Sequence, residues 1–355
     1  MENLRKLAAE TIAGAERELG LDWRSSYSHL ALSVDGVLDV ELSREEVFRS
    51  VAKRLGRAVS RHEGAAVEVV LDVFGSAARL RLLGAERGRL LWATSSVADV
   101  RREPAHSAEL LTQLVMGETA RPLKTLGDWH LVRLADDYHG WIRSWYVRDA
   151  GERDIESYEA STNSIVDANV GYVYSEPDAR SVPVADVVAG VRLEAGELER
   201  GFRRVLLPGG RSGFMPASDL AAPPQGPPDR GRLVARAKRF LGIPYLWGGT
   251  SAKGFDCSGL VKRVYLTEGV FLPRDSDRQA LSGTFVERGE MSRAAPGDLL
   301  FFGEGGAVSH VAIHLGLGSF IHAYGEVRIN SLSSGDERYD ERLAGIFLYG
   351  RAVIP

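Results

Sequence analysis

The chain has one cysteine in 355 residues, Cys257. Alone, it can join neither an intramolecular disulfide nor a multi-cysteine metal site. It is either an inert small hydrophobe or a nucleophile. Its surroundings favour the nucleophile. Cys257 follows Gly254-Phe255-Asp256, behind the glycine-rich run Leu246-Trp247-Gly248-Gly249-Thr250-Ser251, and precedes apolar residues at 260, 261, 264 and 265 spaced on one helical face. Asp256 then reads as an N-cap and Cys257 as a first-turn residue, where the helix dipole favours a thiolate. A thiolate nucleophile needs an imidazole, and the imidazole needs an orienting group. After Cys257 the histidines are His310, His314 and His322.

The residues from His310 to Leu315 alternate as a strand, 316–319 reads as a turn and 320–323 as a second strand. A hairpin centred near Gly316 would set His310 directly opposite His322, with Cβ atoms about 5 Å apart. Both would lie on a face against which the N-terminus of the Cys257 helix packs. The reading is Cys257 as nucleophile, His310 as general base and acid, and His322 as the group that fixes the His310 tautomer. His314 shares that face one pleat nearer the turn and is the rival base. Two histidines and a thiolate would also suit zinc, but no Cys or His sits beside Cys257 at ligand spacing. Tyr245, ahead of the glycine-rich loop, is either a packing residue or a hydroxyl donor to an oxyanion, alongside the Cys257 amide.

The elements that must position these groups fall into segments. Length predicts two or three domains, and 44% apolar with 26% charged residues is the mix of a globular protein. A net charge of −4 without a basic block leaves no nucleic-acid footprint. No run approaches the ~18 apolar residues of a membrane span. The charged first ten residues lack a signal-peptide core, so a cytoplasmic location is expected. Residues 1–103 read as an α/β unit without a catalytic constellation: a helix over 4–19, a hairpin over 29–42 turning at Asp35-Gly36, a helix over 44–59 with Ser43 and Glu46 as a capping box, and strands near 67–73, 79–83 and 90–93. From Pro104 the pattern changes to short strands with turn residues between, the signature of a small antiparallel barrel. Trp129 and Trp141 are expected in its core, and Tyr138 is expected to be exposed beside a tight turn. Residues 156–222 read as a second, more diverged barrel, with Gly213-Phe214-Met215 in the place of Gly140-Trp141-Ile142. The proline-rich stretch at 223–230 is a linker, and an amphipathic helix over 232–241 opens the last domain, 231–355.

Five motifs in order give residues 231–355 a family resemblance: Gly242-Ile243-Pro244-Tyr245-Leu246-Trp247-Gly248-Gly249, Phe255-Asp256-Cys257-Ser258-Gly259-Leu260, Pro273-Arg274-Asp275-Ser276-Asp277-Arg278-Gln279, Pro296-Gly297-Asp298-Leu299-Leu300-Phe301-Phe302 and Ser309-His310-Val311-Ala312-Ile313. They resemble the NlpC/P60 papain-like cysteine peptidases. Residues 127–142 resemble a bacterial SH3-like domain, so 104–155 and 156–222 correspond to two such domains. The layout resembles the γ-D-glutamyl-L-diamino-acid endopeptidases of murein recycling. The resemblance implies an α+β fold, no metal or organic cofactor, and hydrolysis of the bond between γ-D-Glu and diaminopimelate or Lys in short murein peptides that begin with a free L-Ala. Trp247, Ser258 and Ser276 match positions lining the family's substrate pocket, and Tyr138 would close that pocket. Asp256 either caps its helix only or also reads the substrate's ammonium. Two rivals remain: a peptide- or cell-wall-binding protein with a non-hydrolytic domain, and an amidase or acyltransferase on another γ-linked substrate.

Overall fold

The computed structural model describes residues 2–34, 37–63, 67–73, 76–84 and 89–354. The architecture is α+β, mostly antiparallel sheet with helices laid on its faces. Among the described residues no helix is long and apolar enough to cross a membrane.

The first unit is a five-stranded sheet carrying the helices Glu2–Glu18 and Glu45–Leu55. Leu4, Ala8, Ile12 and Ala15 recur on one helical face and pack with Val47, Val51 and the sheet residues Leu38, Val40, Leu71 and Leu80. The strands Ser28–Leu32 and Leu38–Leu42 pair as expected, whereas the turn at Asp35-Gly36 lies outside the described residues. Ser43 does not cap the second helix. That helix begins at Glu45, and the Ser43 hydroxyl instead accepts the Tyr27 amide at 2.8 Å.

Two small, curved antiparallel sheets follow. The first contains Leu110–Val115, Thr119–Leu126, Trp129–Arg133, His139–Arg143 and Val147–Gly151. It also takes in Arg89–Ala93 and Val97–Arg101, which the sequence reading placed in the first unit. Val97–Arg101 pairs with Leu110–Val115, so the pairing partners lie downstream of Pro104. Trp129 and Trp141 are buried against Leu123 and Leu131. The second sheet runs from Ser164–Val166 to Leu220–Ala221. Both sheets close in the same way: His139–Arg143 leads through a 3-10 turn into Val147–Gly151, and Ser212–Pro216 leads through another into Leu220–Ala221. Position 155/156, the expected boundary, falls inside the helix Glu152–Ser161.

Residues 222–229 are irregular, and the helix Arg230–Arg239 starts two residues before the predicted point because Asp229 caps it through the Arg232 amide. The last unit is a six-stranded sheet whose centre is Leu299–Glu304, Ala307–Gly316 and Ser319–Tyr324. One face, with Val311, Ile313, Ile321 and Ala323, buries Leu260, Val261 and Val264 of the helix Cys257–Thr267. The other, with Ala312, Phe302 and Phe320, is covered by Leu343 and Phe347.

Candidate active site

Asp256 caps the Cys257 helix as predicted, accepting the Gly259 amide at 2.7 Å. It does far more than cap. The Gly248 amide donates to its Oδ2 at 2.9 Å, and Arg274 grips both oxygens with its guanidinium. Ser258 joins the same cluster, accepting from Arg274 at 2.8 Å. Asp256 is 6% exposed and both oxygens are engaged, a scaffolding task beyond the expected cap, and it also lines the cleft that holds Cys257. The glycines explain how these groups come so close. A Cβ at Gly259 would lie 2.0 Å from the Gly249 carbonyl oxygen, and one at Gly248, where φ is +79°, would lie 2.4 Å from that of Leu110.

Cys257 lines a cleft of about 440 Å³ together with Tyr138, Tyr245, Trp247, Asp256, Ser258, Ser276 and His310. Cys257 is half-buried, and its surroundings act against the expected lowering of its pKa. Burial, followed by the neighbouring Asp256 charge, pushes the thiol up to about 12, against smaller opposing contributions from the Val311 and Ser258 amides and Arg274. The helix dipole acts on Cys257, but desolvation outweighs it. Tyr245 is half-buried, and burial together with the Cys257 and Asp256 charges pushes its hydroxyl pKa up, keeping it a proton donor.

His310 and His322 meet, with His310 Nε2 2.8 Å from His322 Nδ1. The route differs from the prediction. The hairpin pairs Ile313 with Ile321 and His314 with Phe320, turning through Leu317-Gly318, both at positive φ. Continuing that register sets Tyr324, not His322, opposite His310, so the two histidines are diagonal neighbours on one face. Nor is this the face that takes the aliphatic body of the Cys257 helix. The His310 and His322 rings lie against Phe302 and Phe320, while Cys257 reaches the strand near the Val311 amide. His314 points away from the cleft: its Nδ1 is 3.2 Å from the Ala295 carbonyl oxygen.

The hydrogen-bond chain assigns the protons. The Asn330 amide nitrogen lies 3.4 Å from Asp340, which only accepts, so Asn330 Oδ1 faces His322 Nε2 at 3.1 Å as acceptor. His322 therefore carries its proton on Nε2 and accepts at Nδ1. His310 in turn donates from Nε2, leaving its Nδ1 as the basic nitrogen. Burial pushes both imidazoles well below the ordinary histidine range; in His322 the Asn330 hydrogen bond opposes this. At both Cys257 and His310, burial acts in favour of the neutral form. Among the described residues no group of three or more His, Cys, Asp or Glu is arranged to hold a metal ion.

Tyr138 is buried, not exposed, because Trp23 of the first unit packs edge-on against it with ring centroids 6.0 Å apart. Its hydroxyl donates to Asp275 Oδ2 at 3.2 Å. Trp247 is 62% exposed and donates from Nε1 to Glu109 at 3.0 Å. Ser276 opens the short helix Ser276–Gln279 at the cleft wall. The sequence reading missed Asp275, Arg274, Asn330 and the loop carrying Trp23 and Arg24. Arg274 and Asp275 stood inside a motif whose spacing carried no role for them. Asn330 and Trp23 enter only through sheet register and domain docking.

Comparisons with known proteins agree with this architecture. Residues 242–343 match the NlpC/P60 family, and residues 100–144 match the bacterial dipeptidyl-peptidase SH3 domain. A gamma-D-glutamyl-L-lysine dipeptidyl-peptidase of Bacillus cereus is 28% identical over 277 residues, covering 73% of this chain and 80% of that protein. Dipeptidyl-peptidase 6 of Lysinibacillus sphaericus is 28% identical over 268 residues, covering 70% of this chain and 93% of the relative. The crystal structure of an NlpC/P60 family protein from Bacillus cereus superposes with a TM-score of 0.65 at 23% identity, over 75% of this chain and all of that one (100%), a likeness of fold.

Proposed function

We propose that this peptidase of NlpC/P60 type, with its NlpC/P60 domain behind a bacterial SH3 domain, is a cysteine endopeptidase. It would hydrolyse the bond between γ-D-Glu and the diamino acid, Lys or diaminopimelate, of short murein peptides that begin with a free L-Ala. Similarity to a gamma-D-glutamyl-L-lysine dipeptidyl-peptidase supports the bond. The observation that carries the reading is the cleft itself: Cys257 and His310 share it with the carboxylates Asp256 and Asp275 and with Tyr138. A cleft carboxylate suits a substrate's ammonium, and an acylated terminus would bring it no charge to pair with.

The Cys257 thiol gives its proton to His310 Nδ1, and the sulfur adds to the γ-carbonyl carbon of D-Glu. The Cys257 amide and the Tyr245 hydroxyl donate to the oxyanion. As the tetrahedral species collapses, His310 returns the proton to the departing amine and a thioester remains. Water, deprotonated by His310, then attacks the thioester, releasing L-Ala-D-Glu and restoring the thiol.

Cys257→Ala should abolish release of L-Ala-D-Glu from L-Ala-γ-D-Glu-L-Lys, read by chromatography of the products; persisting turnover would overturn the assignment. N-acetylation of the same peptide should cut kcat/KM by at least about a hundredfold if the ammonium is read by charge. Equal rates on both peptides would remove the ammonium from the reading.

A further inference from the structure

The first unit reaches the cleft through one short loop. After the helix Glu2–Glu18 the chain passes Asp22, Trp23 and Arg24 before entering the strand Ser28–Leu32. The loop is held at its backbone: the Arg24 carbonyl accepts the His139 amide at 2.8 Å and lies 3.0 Å from His139 Nδ1, and Arg44 donates to the Ser25 carbonyl at 2.5 Å. Behind it the unit is docked by Lys124–Glu41 at 2.5 Å, by Arg44–Asp137 at 3.2 Å, and by Tyr27 and Leu83 packing against Trp129, Leu131 and Trp141. Trp23 and Arg24 are therefore presented by a docked domain.

Their side chains line the cleft beside Tyr138 and Asp275. Trp23 covers Tyr138, and the Arg102 guanidinium lies 3.9 Å over the Trp23 ring. Arg102 pairs with Glu109 at 2.7 Å, and Glu109 accepts from Trp247, so one continuous wall joins all three units that line the cleft. Arg24 fills the space beside Asp275. It donates to Asp275 at 2.9 Å, to Asp277 at 2.8 and 2.9 Å, and to Asp22 at 2.6 and 3.0 Å. Arg278 adds a bond to Asp22 at 2.9 Å. Asp22, Asp275 and Asp277 against Arg24 and Arg278 leave one negative charge in excess.

We propose that the loop Asp22-Trp23-Arg24 is a specificity element of the peptidase. It sets how far the substrate's amino end can reach, and the Arg24 guanidinium stands where the ammonium of a peptide one residue longer would go. The inference rests on the reading of the preceding section. A longer peptide must pull Arg24 from three carboxylates or remain outside the cleft, and stripping a partner from partly buried charges is costly. Removing the guanidinium opens a space of the size of a small residue and leaves two negative charges in excess, which an incoming ammonium would answer.

The test uses the full chain with L-Ala-γ-D-Glu-L-Lys, the same peptide extended by an N-terminal Gly, and the N-acetylated form of the extended peptide. The wild type should prefer the shorter free peptide by at least about a hundredfold in kcat/KM, and Arg24→Ala should narrow that ratio at least about tenfold by admitting the extended free peptide. The acetylated extended peptide should gain nothing, because it brings no cation. Arg24→Lys, which restores one, should keep the wild-type ratio. Trp23→Ala, which uncovers Tyr138, should shift the ratio in the direction of Arg24→Ala and provides a second readout should the arginine variant fold poorly. A ratio unchanged in both Arg24→Ala and Trp23→Ala, with turnover of the shorter peptide retained, would overturn the proposal. An equal gain for the acetylated peptide would also overturn it, since that marks a hole filled without regard to charge. A wild type that cleaves none of these peptides would overturn the peptidase reading, and this proposal with it.

Discussion

Around His310 the proton arrangement depends on a run of acceptors that ends at Asp340. Asp340 orients the Asn330 amide, Asn330 orients His322, and His322 leaves His310 basic at Nδ1. Asn330→Leu should free His322 to take the other tautomer, so that its Nδ1 carries a proton and no longer accepts from His310. The expected effect is a fall in kcat by about ten- to a hundredfold with little change in KM, the scale of a weakened general base. Asn330→Gln should recover part of it, and a Leu variant with wild-type kcat would refute the role. The proposed nucleophile and base, Cys257 and His310, were legible in the sequence because Cys and His stand at recognisable spacings. Asn330 was not, because it comes from Glu326–Ser331, where the residue directly across from His322 is Arg328 and Asn330 sits two pairs further along, opposite Phe320.

The helix Cys257–Thr267 and the loops around it were readable as elements, and their tightness was not. Alanine normally improves on glycine inside a helix by about 1 kcal/mol. Gly259→Ala should do the opposite, because its Cβ would lie 2.0 Å from the Gly249 carbonyl oxygen and 2.9 Å from Asp256 Oδ1. A net loss of about 1–3 kcal/mol is expected from overpacking against backbone, measured by urea denaturation, and equal or greater stability would contradict the packing described. Arg274 is the second case. It is 2% exposed, grips Asp256 and Ser258, and donates to Thr112 of the first barrel at 3.0 Å. Arg274→Met should cost about 3–5 kcal/mol by leaving the Asp256 carboxylate buried without its counter-charge. Pairing it with Asp256→Asn should return part of that loss, which separates lost charge balance from lost packing.

Across the whole molecule, three units converge on one cleft. The first barrel is bound to the last unit by Thr250–Gln113 hydrogen bonds at 3.0 and 3.1 Å and by ion pairs of Arg263 with Glu118 at 2.9 Å and Lys262 with Asp136 at 2.5 Å. Three histidines, His139 and His322 buried and His310 half-buried, link stability to pH. Burial pushes His139 down to about 4, and His310 and His322 are depressed in the same direction. A histidine held neutral binds fewer protons folded than unfolded between its folded pKa and about 6.5, so its stabilising contribution is present above about 6.5 and is lost as pH falls. Each should remove up to about 1.4 kcal/mol per pH unit across that window. Thermal melting from pH 7 to pH 4.5 should show a steep loss of stability, shallower in His139→Gln, and a flat profile in the wild type would refute it.

The sequence by itself determined the α+β class, the SH3-like repeat character, the helix that starts at Cys257 and the two histidines that meet beside it. Those follow from local periodicity and from residue types with few alternative uses. Tertiary structure decided the rest, because each remaining question turned on which groups share a buried space. Asp256 became part of the scaffold once Arg274 was folded onto it, and at Cys257 burial came to oppose the helix dipole. The histidine pair became diagonal when the turn moved to Leu317-Gly318. The first unit, silent in its own sequence, acquired a task only where docking set Trp23 against Tyr138 and Arg24 against Asp275.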